Sequence, residues 1–270
     1  MCALEWIHIA GFCCAALIGA VIGLLGGGGA ILAVPVFVYL MGIEALQATA
    51  YSLFLVGITS GIASYRYYRQ GLIAFKAIIP FVIPSVIFLY FTRRFLLPAI
   101  PDPLIAGDQF ELSRKTFMML LFSLLMITAA LSMLTKRADR PTHTKLPAGF
   151  RPFLISMWGT VVGLLAGIVG AGGGFMIIPV MVLFLGLEMK VAVGTSLAII
   201  CIQSLTGFAG DLSTHLDIDW QFLLPFTAIS VAGMFAGSGL SKKLEPAKIR
   251  RIFGVFILSM GLVIIVSEFF

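Results

Sequence analysis

A glycine-rich stretch that occurs twice constrains this chain more than any other feature. The first copy is Gly23-Leu-Leu-Gly-Gly-Gly-Gly-Ala-Ile-Leu-Ala-Val-Pro35 and the second is Gly167-Ile-Val-Gly-Ala-Gly-Gly-Gly-Phe-Met-Ile-Ile-Pro179. Each copy interrupts a long apolar run. Glycine costs a helix interior about 1 kcal/mol relative to alanine, so a cluster of them predicts a helix break. At bilayer depth a break is tolerated only against protein or a wet cavity. Matched interruptions in two halves of one chain point to a central transport site.

Composition sets the class. Of 270 residues, 60% are hydrophobic and 11% charged, with mean hydropathy +1.09; a soluble domain carries about 25% charged residues. The chain reads as an all-α polytopic membrane protein in contact with a lipid bilayer. The net charge of +6 does not call for nucleic acid, because the basic residues fall in short loops where topology explains them. Cys2, Cys13, Cys14 and Cys201 lie in or beside apolar runs without metal-ligand spacing, and read as small core residues. The first Lys or Arg is Arg66, so the opening apolar run lacks a basic leader and reads as retained.

The apolar segments run from about 6 to 25, 31 to 41 (half a membrane thickness), 47 to 64, 74 to 91 and 116 to 134. Those of the second half run from about 191 to 209, 222 to 240 and 252 to 266. Residues 93–115 read as a polar excursion. Residues 136–151, with Pro141 and Pro147 among basic side chains, read as a linker between a first repeat, 1–135, and a second, 152–270. At an offset of 144, residues 23–61 match 167–205 at 14 of 39 positions, including Pro35/Pro179, Gly42/Gly186, Glu44/Glu188, Ser52/Ser196 and Ser60/Ser204. Pro80 and Pro225 match one residue further on. Identity at unusual residues in register indicates duplication.

If each glycine segment and its short helix form a hairpin or re-entrant unit, 14 of the 18 Lys and Arg residues fall on one side, the cytoplasmic one. The N-terminus is then outside, each half has about four full spans, and the repeats are inverted. Arg93, Arg94, Arg114 and Lys115 flank the outer excursion, and Asp211, Asp217 and Asp219 read as an outer acidic loop.

The paired glycine motifs, each followed by a proline and Gly-x-Glu, resemble the TauE/SafE family of sulfite-exporter-type anion permeases, over nearly the whole chain. The second copy, continuing into Ala192-Val-Gly-Thr-Ser196, is the closer match; Tyr51 replaces the threonine in the first. The resemblance implies transport of sulfite, thiosulfate or an organosulfonate across a bacterial inner membrane, coupled to protons, with no cofactor.

The residues argue for an anion independently. Helices that begin at the glycine clusters aim N–H groups and a partial positive charge into the protein. The expected substrate shell is Gly26, Gly27, Gly28 and Gly29 with Gly170, Gly172, Gly173 and Gly174, completed by Ser52, Thr59, Ser60, Thr195, Ser196, Gln203 and Ser204. Ser52 to Thr59 and Ser196 to Gln203 are seven residues apart, two turns on one face. Pro35 and Pro179 are expected as structural helix breaks. No buried Lys or Arg is expected as counter-ion. Glu44 and Glu188 read as first-turn carboxylates that favour a helix start. Isolated pairs such as Gly19/Gly23, Gly163/Gly167 and Gly233/Gly237 read as close-packing positions.

No phosphate loop, His-Glu-x-x-His motif or intramembrane aspartyl pair is present, so the chain reads as a non-enzyme without metal. The expectation is a secondary-active carrier working by alternating access. The residues alone leave a passive anion channel open, together with the anion's identity, the transport direction, the coupling ion and the oligomeric state.

Overall fold

A computed structural model of the chain describes residues 2–25, 29–96, 99–101, 105–107, 110–135, 150–169, 174–183, 185–212, 217–241 and 245–269. The first half comprises α1 (Cys2–Leu25), the short α2 (Ala30–Pro35) continued by a π turn (Val36–Leu40), and α3 (Ala45–Arg69). It is completed by α4 (Phe75–Phe91), continued by a second π turn (Thr92–Leu96), and α5 (Arg114–Leu134). The second half comprises α6 (Phe150–Val169), α7 (Gly174–Leu183), α8 (Met189–Leu212), α9 (Trp220–Ser241) and α10 (Pro246–Phe269). Between α4 and α5 two strands, β1 (Ile105–Gly107) and β2 (Phe110–Leu112), form an antiparallel hairpin with Ala106 opposite Glu111. This hairpin qualifies the all-α expectation. Of the linker, 136–149 lies outside the described residues.

Among the described residues four helical segments are long and apolar enough to cross a bilayer, Ala45–Arg69, Phe75–Leu96, Lys190–Leu212 and Trp220–Leu240; shorter apolar helices lie at Gly11–Leu24, Thr116–Thr128, Pro152–Ile168 and Gly254–Glu268. The outward faces are apolar. On α4, Phe75, Ile79, Ile83 and Ile87 form an exposed row at four-residue spacing, one helix face, as a hydrocarbon solvent requires.

The short helices end alike. Gly42 and Gly186 adopt φ of +68° and +67°, the left-handed region where only glycine is free of Cβ strain. The next N–H then reaches back to the last turn: Ile43 donates to the Phe37 carbonyl at 2.9 Å, and Leu187 to that of Met181 at 3.2 Å. This is a glycine C-cap closing six residues back. Glu44 and Glu188 stay exposed; their carbonyls accept from Ala48 and Ala192. At Pro35 the chain does not break. It passes from α2 into the π turn, a wider helix that absorbs the missing N–H. At Pro179 α7 likewise continues to Leu183.

Glycines decide which long helices meet. A Cβ on Gly19 would lie 1.7 Å from the Ser230 carbonyl oxygen, and one on Gly23 2.2 Å from that of Met234, so α1 lies backbone to backbone on α9. From the other side Gly233 and Gly237 admit the carbonyls of Ala16 and Ala20. Both numberings rise together, so the two helices are parallel. The second half repeats this: Gly159, Gly163 and Gly167 meet Phe81, Ser85 and Leu89 of α4, again parallel. Small residues let helices approach closely in lipid, where apolar side chains gain little from leaving the solvent. A helix opened by proline is also repaired here. Pro84 cannot donate to the Pro80 carbonyl, and the Ser156 hydroxyl of α6 donates to it instead at 2.9 Å.

At the centre, α3 crosses α8 antiparallel. Gly57 faces Leu205, Gly61 faces the Cys201 sulfur, and Gly207 faces Leu53. α2 packs on α3, α7 packs on α8, and the two short helices touch each other. Cys201 lies at this crossing, whereas Cys13 is exposed on α1. That corrects the core reading of Cys13, whose side chain faces outward from its helix.

Candidate functional site

The α3/α8 crossing assembles most of the hydroxyl and amide residues expected to line the site. Ser52, Ser60, Gln203 and Ser204 are all fully buried. Their hydroxyls, and both polar atoms of the Gln203 amide, have no hydrogen-bond partner among the described residues. An unpaired buried amide or hydroxyl costs about 1–3 kcal/mol, and native proteins leave few of them. With 57 facing 205 and 61 facing 201, residue 59 is level with residue 203 along the antiparallel pair, each about half a turn round its helix from the facing positions. Thr59 and Gln203 are also mates under the repeat offset of 144. Ser60 and Ser204, a second such pair, flank this point.

Other expected residues are engaged elsewhere. The Thr59 hydroxyl donates to the Leu55 carbonyl at 2.7 Å, and that of Ser196 to the Val193 carbonyl at 2.8 Å, the local bonding usual for such residues within helices. The Thr195 hydroxyl accepts from the Ala74 N–H at 2.9 Å, just ahead of α4. Tyr51, its counterpart, does the same in the other half: its hydroxyl accepts from the Asp219 N–H at 2.8 Å, just ahead of α9, and from Gln47 Nε2 at 3.1 Å. The Thr-to-Tyr exchange thus preserves one function, holding the opposite half's helix start, while the tyrosine adds bulk. Its ring packs edge-on against Phe37 and beside Phe222, and Phe37 in turn lies against Phe226.

Of the glycines, Gly26, Gly27, Gly28, Gly170, Gly172 and Gly173 lie outside the described residues. Gly29 is buried immediately before α2, where a Cβ would fall 2.5 Å from the Ile22 side chain and 2.7 Å from the Ile18 carbonyl oxygen. Only glycine lets α2 fold back so closely on α1. Gly174 is buried at the first position of α7.

One functional pair differs from the sequence reading. Arg93 does not flank an outer excursion; it lies in the π turn that extends α4, with its side chain 0% exposed. Asp211 is not in a loop either, but in the last turn of α8, with its side chain 4% exposed. They form a two-point ion pair, Nε to Oδ1 at 2.7 Å and Nη2 to Oδ2. The guanidinium also donates to Thr49 Oγ1 at 3.1 and 3.2 Å and to the Gly167 carbonyl at 3.2 Å. Its five N–H donors thereby tie α3 and α4 to α6 and α8. The expectation of no buried cation is corrected. Removing one member of such a pair costs about 3–5 kcal/mol, because the other stays buried and unpaired. A sequence signal did exist: Asp211 stands seven residues after Ser204, on the same helix face. The equivalent corner at the other end is looser. There the Arg66 guanidinium donates to Ser238 Oγ and stacks 5.6 Å from the Phe235 ring, so α3 and α9 finish at one end while α4 and α8 finish at the other.

A helical membrane protein with two half-length helices meeting over a crossed pair of full spans, and polar groups held unpaired at the crossing, has the form of a membrane transporter. A family model described as "Sulfite exporter TauE/SafE" matches residues 11–264, and the chain belongs to that family. Similar curated proteins carry the same sense. A "Probable membrane transporter protein" of Xylella fastidiosa (strain 9a5c) is 27% identical, covering 92% of this chain and 91% of its own. The "Probable membrane transporter protein YunE" of Bacillus subtilis (strain 168) is 26% identical, covering 93% and 95%. A "Probable membrane transporter protein" of Methanocaldococcus jannaschii is 25% identical, covering 91% and 92%. No solved structure matches the chain.

Proposed function

We propose that this multi-pass membrane transporter is a secondary-active carrier of a small sulfur-containing oxyanion such as sulfite, thiosulfate or an organosulfonate. It alternates access about two inverted repeats and is coupled to protons. The unpartnered Ser52, Ser60, Gln203 and Ser204 at the α3/α8 crossing carry the reading. A fully buried carboxamide with neither end bonded is costly, and an oxyanion that accepts from its N–H and from nearby hydroxyls offsets that cost. The N–H groups of Gly29 and Gly174, at the starts of α2 and α7, complete the shell in this reading, because the two short helices touch and each packs on one member of the crossed pair.

The helix senses favour inversion of the repeats. α3 and its mate α8 are antiparallel, and each half's first helix runs parallel to the other half's fourth. A twofold axis between Thr59 and Gln203, lying in the membrane plane, relates such an arrangement. α3 and α9 finish at one end; Arg69 and Lys76 border the α3–α4 turn, and Lys242 and Lys243 follow α9 in the sequence. That end is cytoplasmic by the positive-inside rule, which places the N-terminus outside a bacterial inner membrane.

The test is flux into proteoliposomes with radiolabelled sulfite, thiosulfate, sulfate and a sulfonate, with and without a pH gradient. Saturable uptake of one sulfur anion, reduced when Gln203 becomes leucine and when Gly172 and Gly173 become bulkier, is the expected result. Ohmic current without saturation overturns the carrier reading. Folded protein that moves none of the four anions overturns the sulfur assignment.

A further inference from the structure

The carrier reading leaves coupling unassigned, and the buried Arg93–Asp211 pair supplies a group for it. Among the described residues these two are the buried charged side chains. They link the halves, Arg93 and Thr49 belonging to the first and Asp211 and Gly167 to the second. Alternating access moves one half against the other, so at some stage this contact has to part. Parting it with both charges intact strands a carboxylate and a guanidinium in a medium that solvates neither. Two arrivals remove that obstacle together. A proton on the Asp211 carboxylate makes it neutral, and an anion on the Arg93 guanidinium replaces the lost negative partner. The total charge of the buried set is unchanged when one proton and one negative charge enter.

The surroundings fit this exchange. Asp211 is faced from α4 by Arg93, while Tyr90 of that helix packs against the neighbouring Gly210. From α3 comes Thr49, and from α6 the Gly167 carbonyl, both held through the guanidinium. Asp217 and Asp219, further along the chain, are exposed. Ser52 stands one turn beyond Thr49 on α3 and is among the unpartnered hydroxyls. The ion pair therefore lies one helical turn from the polar cluster. At the opposite corner, among the described residues, Arg66 meets the neutral Ser238 hydroxyl.

We propose that Asp211 is the proton-binding group of the carrier and that Arg93, released from it, becomes the counter-ion of the transported oxyanion. This rests on the carrier reading, and the experiment separates the two. The probes are radiolabelled methanesulfonate and thiosulfate, neither of which titrates near neutral pH, so any proton that moves is bound by the protein. Wild-type protein is expected to concentrate the probe about tenfold per pH unit of gradient for each coupled proton. Asp211→Asn is expected to lose that concentration while still exchanging labelled for unlabelled anion at a reduced rate. Arg93→Gln is expected to raise KM roughly 10- to 100-fold, the worth of a charge-assisted hydrogen bond.

A second measurement needs no variant. Adding methanesulfonate or thiosulfate to purified wild-type protein in weakly buffered detergent is expected to take up about one proton per anion bound, the one that Asp211 accepts. Gradient-driven concentration by Asp211→Asn equal to wild type, or anion binding without proton uptake, overturns the assignment and leaves the carrier reading standing. Wild-type protein that moves neither probe, nor sulfite in the same assay, overturns both.

Discussion

Replacing Gln203 by leucine is the most direct test of why the polar cluster exists. The two side chains are similar in size, so the substitution removes the amide without opening a large void. In the substrate-free protein both amide atoms are buried and have no partner among the described residues, and each such group costs about 1–3 kcal/mol. Leucine relieves that cost and gains the burial of apolar atoms in their place. Gln203→Leu is therefore expected to raise the unfolding free energy by about 1–3 kcal/mol, as read by denaturation in mixed micelles. Transport is expected to move the other way. An amide N–H bonded to an anion is worth about 1.5–3 kcal/mol, so KM rises roughly 10- to 100-fold. Gain of stability with loss of function marks a residue kept for a ligand. A variant that unfolds more readily than wild type, or that transports with unchanged KM, refutes the reasoning, because the amide would then be serving the fold.

Four further outcomes follow from the same geometry. Thr195→Val and Tyr51→Phe each strand one N–H, of Ala74 or Asp219, and are expected to lower stability by about 1–3 kcal/mol; Thr195→Ser restores the acceptor and most of the loss in the same unfolding assay. Gly19→Ala forces α1 off α9, since its Cβ would sit 1.7 Å from a carbonyl oxygen, and is expected to cost at least about 1–3 kcal/mol. Gly239→Ala, whose Cβ meets nothing within 4 Å, is expected to be neutral within about 0.5 kcal/mol. Single cysteines at Gln70 and Glu245 are expected to react with an impermeant maleimide from one side of the membrane, and cysteines at Pro101 and Asp217 from the other; labelling of Gln70 and Asp217 from the same side would contradict the helix senses.

Much of this molecule was legible in the sequence because the signals are local. Apolar runs mark helices whatever they pack against, and the expected segments match the observed helices to within a few residues at each end. Duplication is likewise a property of the string, and Gly42 and Gly186 adopt the same left-handed turn. Two-turn spacing put Ser52 with Thr59, and Ser196 with Gln203, on one helix face each, and all four are buried. Spacing could not reveal which hydroxyls satisfy their own helix. Thr59 and Ser196 do, because a carbonyl one turn back is always within reach. Thr195 is occupied by a backbone N–H from the other half, a contact 121 residues away in the chain.

By itself the sequence determined the class, the spans and the duplication, because hydropathy and glycine content act on each segment whether or not its partners are in place. Tertiary structure decided where the charges go. Arg93 and Asp211, 118 residues apart, each look like the polar end of a span when read alone. They are buried because packing brings the end of α4 to the end of α8. A buried charge is tolerated only where its opposite meets it, and that meeting is made by the fold.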